Sequence, residues 1–294
     1  MLREMARATQ TLDYEGTFVY SVGGTAERAS MRIIHHYDRE LGHERERLLA
    51  LTGSPREVLR DRELVTCILP DQKAVVVTRN RAGGRFPGAL RDFDSPAIGR
   101  LYTPSTAEGD RVAGRPTVLV RLAPLDGFRY GYHLWLDRET KLLLRSRLVS
   151  DTDGVLEEIE YVRLQTPVEI SDQMLAPEND ASGFARIEPT GVTPSPPPAP
   201  LDVGWLPEGF LSVDGEPAMQ ATVHRPVEHR VFADGLASVS VFIEPIEGKP
   251  ALEGSQRIGA VTAFGREVGG YQVTVVGEVP TVTTRRIAES IAVR

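Results

Sequence analysis

Cysteine is nearly absent from this chain of 294 residues, in which Cys67 is the single example. One thiol excludes an internal disulfide and any zinc site built on several cysteines. Lysine is almost as scarce: Lys73, Lys141 and Lys249 are the only three, so arginine supplies most of the 34 basic side chains set against 41 acidic ones. The net charge of −7 is spread without a basic body. Residues 1–178 carry 25 basic and 27 acidic side chains, residues 179–203 carry 1 and 3, and residues 204–294 carry 8 and 11. Neutralising a phosphate backbone takes clustered Lys and Arg, so no nucleic-acid partner is expected. No run approaches the roughly 18 apolar residues of a membrane-spanning helix. No export signal is expected within this sequence, because Met1-Leu2-Arg3-Glu4 leads straight into amphipathic sequence.

Enzyme signatures are missing too. The chain has no G-x-S-x-G, G-x-x-x-x-G-K-[ST], G-x-G-x-x-G or H-E-x-x-H motif. Asp151-Thr-Asp-Gly154 opens like a calcium loop but lacks the later ligands, and it reads as a hairpin turn. His35, His36, Asp38 and His43 form the one ligand-rich cluster. Adjacent histidines on a regular strand point to opposite faces and cannot grip one ion. No catalytic set, metal or cofactor is expected.

What is present suits strands and turns. Gly 27 and Pro 21 are too many for a helical bundle, and a 41% hydrophobic content suffices for packed cores. Six prolines between Pro189 and Pro200 can neither continue a helix nor donate along a sheet ladder. The division expected is an N-terminal domain over 1–178, a Pro-rich linker over 179–203 and a smaller α+β domain over 204–294. Leu2, Met5, Ala6, Thr9 and Leu12 recur at helical spacing. Strand patterns then follow at 16–22, 30–37, 117–122, 130–136, 141–149 and 155–164, which together read as an antiparallel meander with one helix against it. Cys67 falls inside the apolar run Leu64–Leu69 and is expected to be a buried, inert side chain.

In the last 90 residues, strands are expected at 236–243, 259–264 and 271–276, followed by a helix. Thr283 or Thr284 would cap that helix, and Ile287, Ala288 and Ile291 would form its apolar stripe. Phe18, Tyr20, Tyr130, Tyr132, Leu134 and Leu136 are more bulk than a flat two-layer core needs. They fit either a core packed under the helix or a half-open barrel whose concave side holds an apolar ligand.

Several strings go beyond periodicity. Gly16-Thr-Phe-Val-Tyr20, Glu44-Arg-Glu-Arg-Leu-Leu49, Gly53-Ser-Pro-Arg-Glu-Val58 and Arg111-Val-Ala-Gly-Arg-Pro116 occur in the N-terminal part. Arg129-Tyr-Gly-Tyr-His-Leu-Trp-Leu-Asp137, Trp205-Leu-Pro-Glu-Gly-Phe210 and Asp234-Gly-Leu-Ala-Ser-Val-Ser-Val-Phe-Ile-Glu-Pro245 come next, then Val275-Val-Gly-Glu-Val-Pro280 and Arg286-Ile-Ala-Glu-Ser-Ile291. In this order they resemble the RseB/MucB family, regulators of the sigma-E (AlgU) envelope-stress response. The resemblance implies an N-terminal half-barrel similar to LolA, LolB and LppX, with a helical lid, and a periplasmic location with the leader removed. It also implies a partner, the periplasmic segment of a transmembrane anti-sigma factor of the RseA/MucA type. The protein would shield that segment from a DegS-type protease and release it on sensing lipid or lipopolysaccharide.

Acyl chains are then expected against Phe18, Tyr20, Met31, Ile33, Val118, Val120, Tyr132, Leu134 and Leu136, although a one-residue slip would invert each strand. The extra C-terminal domain is expected to hold a large share of the anti-sigma site, with Trp205 and Phe210 as aromatic anchors or else as that domain's own core. Phe232 and Phe242 are expected in the core. A LolA-like lipid or lipoprotein carrier is the competing reading, and it leaves residues 204–294 without a role. Self-association of the chain is left open.

Overall fold

The computed structural model describes residues 1–62, 64–79, 98–188, 199–213, 227–246 and 252–294, arranged as two compact units. Most of the Pro-rich run, residues 189–198, lies outside the described residues. The units divide within the Pro-rich stretch, but not only there. The described residues 98–104 and 122–131 belong to the second unit, together with 199–294.

Helix α1, Leu2–Thr11, buries Met5, as its spacing predicts, and also Ala8, outside the predicted stripe, while Leu2, Ala6 and Thr9 are half-buried. Twelve strands follow in one sheet: β1 (Tyr14–Val22), β2 (Arg28–Asp38), β3 (His43–Ala50), β4 (Glu57–Asp61), β5 (Leu64–Leu69), β6 (Ala74–Arg79), β7 (Tyr102–Val112), β8 (Arg115–Pro124), β9 (Gly131–Asp137), β10 (Leu143–Ser150), β11 (Gly154–Gln165) and β12 (Ala185–Ile187). A short helix α2, Ile98–Leu101, precedes β7, and another, α3, Asp172–Leu175, follows β11. The strand order is β12-β6-β5-β4-β3-β2-β1-β11-β10-β9-β8-β7. Two runs of sequential neighbours, β1 to β6 and β7 to β11, are thus joined where β1 pairs with β11. Among the described residues the sheet does not close on itself: its two ends are β12 and β7.

The β1–β11 junction depends on a glycine. A Cβ on Gly16 would meet Cε1 of Tyr161 at 2.6 Å and the Arg163 carbonyl at 3.0 Å. The register slips by one residue at Thr17/Phe18, so Phe18 stands opposite Tyr161 and their rings meet edge to face at 5.7 Å. Around them gather Tyr14, Ile33, Leu119, Trp135, Leu144 and Leu164.

A strap follows β11. Ala181 and Phe184 pack on Ile68, Val75 and Val77 of β5 and β6. Residues 185–187 then pair with β6 in parallel. The stretch 179–203, expected as linker, therefore has built ends: β12 on one side, and on the other a strand β13, Leu201–Val203. Cys67 on β5 is half-buried rather than enclosed, because its neighbour Ile68 takes the inward position.

The second unit holds a six-stranded sheet in the order β14-β15-β16-β19-β18-β17. Its strands are β14 (Leu211–Ser212), β15 (Glu228–Ala233), β16 (Ser238–Pro245), β17 (Gly254–Ile258), β18 (Val261–Val268) and β19 (Tyr271–Gly277). Helix α4, Thr281–Ser290, packs on it, and a last strand β20, Ile291–Val293, pairs with β13. The sequence reading missed β14, β15 and β17 of this sheet: β14 is two residues long, β15 opens on Glu228-His-Arg230, and β17 has Ile258 as its single large apolar side chain. Val239, Val241 and Ile243 point inward from β16 to meet Val273, Val275, Ile287 and Ala288. Alternation therefore turns Phe242 outward, where it stacks on His229 at 4.4 Å, which corrects its expected core position. Phe232 is in the core as expected. The helix also starts earlier than expected, with Pro280 at its N-cap. Thr283 and Thr284 are buried in the first turn; Thr284 Oγ1 donates to the Thr281 carbonyl.

Candidate functional site

The nine residues expected to line an acyl site differ in surroundings. Phe18, Met31 and Ile33 meet in the Tyr161 cluster, and Tyr20 lies two positions along β1 from Phe18, opposite Ile159. On β8 and β9 that cluster contains Leu119 and Trp135. Val118, Val120, Leu134 and Leu136 alternate with these two and leave their strands on the other side. Tyr132 shares the side of Leu134, two residues before it. Leu134, Trp135 and Leu136 are each at most 4% exposed, so β9 is covered on both faces. Phe18, Ile33, Val120, Leu134 and Leu136 are enclosed, whereas Tyr20, Met31, Val118 and Tyr132 are half-buried.

Charges line the Trp135 side of β9 and β10. The guanidinium of Arg145 lies 4.6 Å from the Trp135 ring centre and that of Arg147 at 5.2 Å, and both pair with Glu158 of β11. Burial raises the Glu158 carboxyl, but its bonds from Arg147 and Arg145 outweigh this and hold it below the usual carboxylate range. His133 is lowered by burial first, then by the positive charges of Arg121 and Arg147.

The histidine cluster is dispersed among local partners. His35 stacks on Tyr14 at 4.7 Å with Nδ1 2.8 Å from the Leu12 carbonyl. His36 Nδ1 is 3.1 Å from Asp13 Oδ1, and His43 Nε2 lies 3.3 Å from Asp61. Among the described residues no group of three or more His, Cys, Asp or Glu side chains converges as metal ligands.

In the second unit the two aromatic candidates separate. Phe210 is a core side chain, 4% exposed. Trp205 is half-buried beside that core, edge to face with Phe128 at 4.9 Å. The Arg286 guanidinium lies 4.1 Å from the Trp205 ring centre and 5.3 Å from that of Phe128. Phe128 and Arg129 are the residues that sequence reading missed here. Their only signal is an arginine set between aromatics in Gly127-Phe-Arg-Tyr130.

Comparison with known proteins decides what carries this architecture. The family model of the MucB/RseB N-terminal domain matches residues 1–179, and that of the MucB/RseB C-terminal domain matches residues 196–292. The chain belongs to the MucB/RseB family. Within it, the chain is 33% identical to the sigma factor AlgU regulatory protein MucB of Pseudomonas aeruginosa over 301 residues, covering 99% of this chain and 89% of that protein. Identity to the sigma-E factor regulatory protein RseB of Escherichia coli K12 is 26% over 294 residues, again covering 99% and 89%. The fold is similar to a solved complex of Pseudomonas aeruginosa MucA and MucB, with TM-score 0.76, 29% identity and coverage of 100% of this chain and 97% of that one. A crystal structure of MucB aligns with TM-score 0.69 at 31% identity, covering 100% and 96%. The MucB/RseB relatives are named as regulatory proteins, in keeping with the missing enzyme motifs.

Proposed function

We propose that this chain is a periplasmic regulator that binds the periplasmic segment of a transmembrane anti-sigma factor of the RseA/MucA type. The observation that carries the reading is the end-to-end likeness, over both units, to MucB in its complex with MucA. A lipid carrier would need only the open sheet of the first unit, and it leaves the second without a role. In this reading the bound segment is withheld from site-1 cleavage by a DegS-type protease, which keeps the sigma-E response off. Lipid or lipopolysaccharide fragments then release it. The two ligands are linked: whatever factor the lipid takes off the affinity for the anti-sigma segment, that segment takes off the affinity for lipid.

The partly exposed Tyr20 and Met31 offer an acyl chain its first contact on the Phe18 side of the sheet, whereas Val118 and Tyr132 offer it on the opposite side. Phe18, Ile33, Val120, Leu134 and Leu136 are reached only by displacing packed side chains. Trp205 is the better anchor for the protein partner, since Phe210 is committed to the core. Calorimetric titration with the periplasmic segment of the cognate anti-sigma factor tests the main claim. Saturable binding is expected, with slowed digestion of the segment by its site-1 protease and faster digestion once lipid is added. Absence of binding overturns the reading, and binding that lipid leaves unchanged overturns the release step.

A further inference from the structure

Residues 122–131 are part of the N-terminal family domain in sequence, yet their side chains are built into the second unit. The side chain of Arg129 has no exposed surface. Its Nη1 donates to Asp234 Oδ2 at 2.9 Å, and the Asp234 side chain is equally enclosed. Nη2 donates to the Glu208 carbonyl at 2.7 Å and lies 3.1 Å from Asp126 Oδ2. The guanidinium carbon stands 5.5 Å from the Phe210 ring centre and 5.9 Å from that of Tyr102. Asp234 in turn accepts the backbone N–H groups of Leu236 and Ala237 at 2.8 and 2.7 Å, which shapes the turn between β15 and β16. One residue away, the Phe128 carbonyl accepts the Thr283 hydroxyl of α4 at 2.8 Å. Gly209, at φ +83°, brings its backbone against Leu101, where a Cβ would sit 2.7 Å from a methyl group.

We infer that Arg129 is the clasp by which the β8–β9 connection completes the C-terminal family domain, so that the two family domains stay associated when the Pro-rich linker is cut. The physical reason is charge burial. Without Arg129, Asp234 is a carboxylate closed off from water whose enclosed positive partner is gone, and removing one member of such a pair is strongly unfavourable. Arg129 alone reaches Asp234, Asp126, a backbone carbonyl and two rings, which suits the planar fork of arginine and not the point charge of lysine. The inference is independent of the partner proposed above.

The test uses the full chain with a specific protease site placed between Thr190 and Pro198 and cut after folding. The two fragments of the native chain are expected to co-elute in gel filtration at micromolar concentration. Arg129→Met is expected to weaken their association on the order of a hundredfold or more. Arg129→Met combined with Asp234→Leu is expected to recover part of that loss, since both charges are then gone. Should Arg129→Met fail to fold before cleavage, Arg129→Lys is read in its place, with the same direction expected. Arg285→Ala, exposed on α4 and paired with Glu289 of the same helix, serves as the control that leaves association within a few-fold. Separation of the native fragments, or equal association in the native and the Arg129 variants, overturns the inference.

Discussion

Glu57 takes two hydrogen bonds from Asn179, one from its backbone N–H at 3.0 Å and one from its side-chain amide at 2.8 Å, across 122 residues of sequence. The same carboxylate accepts the Glu178 backbone N–H at 3.0 Å and Nε–H of Arg47 at 2.6 Å. Arg47 also donates to the Met174 carbonyl and to Glu178. This buried pair fastens the strap after β11 across β3 and β4, and it leads the chain into β12, where residues 185–187 pair with β6.

Replacing Glu57 with glutamine keeps the shape but leaves the guanidinium of Arg47, among the described residues, with the exposed Glu178 as its anionic partner. A stability loss on the order of 3 kcal/mol is expected in urea titration. An unchanged midpoint would show that the strap does not contribute to folding of the sheet.

The pH dependence follows from the same group. Burial pushes the Glu57 carboxyl up, but the hydrogen bonds from Glu178, Asn179 and Arg47 outweigh it and hold the group below the usual range. Asp137 is held low in the same sense, burial opposing the bonds from Arg115, Thr140 and Glu139. A depressed carboxylate contributes stability that is complete above its unfolded pKa of roughly 4 and is lost as the pH falls through the folded value. Unfolding midpoints are therefore expected to be level near neutrality and to fall below about pH 4. In Glu57→Gln the acid slope is expected to be shallower. A slope identical to that of the native chain counts against this assignment.

Phe210→Ala removes a core ring and is expected to cost about 3–5 kcal/mol. Trp205→Ala is expected to cost less, because its ring is only half-buried and capped by Arg286. If Trp205 anchors the anti-sigma segment, its variant lowers affinity for the segment at a stability where the chain remains folded. Calorimetry beside thermal melting separates the two effects. Native affinity in Trp205→Ala assigns the residue to packing alone.

Lipid binding is best probed at partly exposed positions. Tyr20→Ser and Tyr132→Ser remove partly exposed apolar surface on opposite sides of the sheet, and the variant on the side that takes the chain is expected to weaken fatty-acid binding several-fold, given about 25 cal/mol per Å² of apolar contact. Leu134→Ser is expected to destabilise the fold before any binding is read, since Leu134 is fully enclosed. Unchanged fatty-acid affinity in both tyrosine variants would remove them from the acyl site.

Cys67 is expected to stay chemically quiet. Burial raises its thiol, with Arg56 opposing more weakly, so little thiolate exists at neutral pH. Cys67→Ala is expected to keep partner binding and lose about 1 kcal/mol or less. Rapid labelling of the folded chain by a thiol reagent would contradict this.

Alternation and helical spacing, which act within a few residues, were legible in the chain itself. β1, β2, β9, β11, β16 and α1 follow from them, as does the α+β class. Ordered strings such as Arg129–Asp137 and Trp205–Phe210 carried the family. What the sequence left open depends on contacts between distant residues. A strand pattern says which side chains share a face but not which face a neighbouring strand brings to meet it, so Leu119 and Trp135, rather than Val120 and Leu134, join Phe18. Phe242 shows the same limit, because its alternating strand is covered on the side of Val241. The strap on Glu57 and the clasp of Arg129 on Asp234 join residues more than a hundred positions apart. Local propensity carries no record of such pairs. Only the folded chain, by excluding water around both charges at once, decides that they meet.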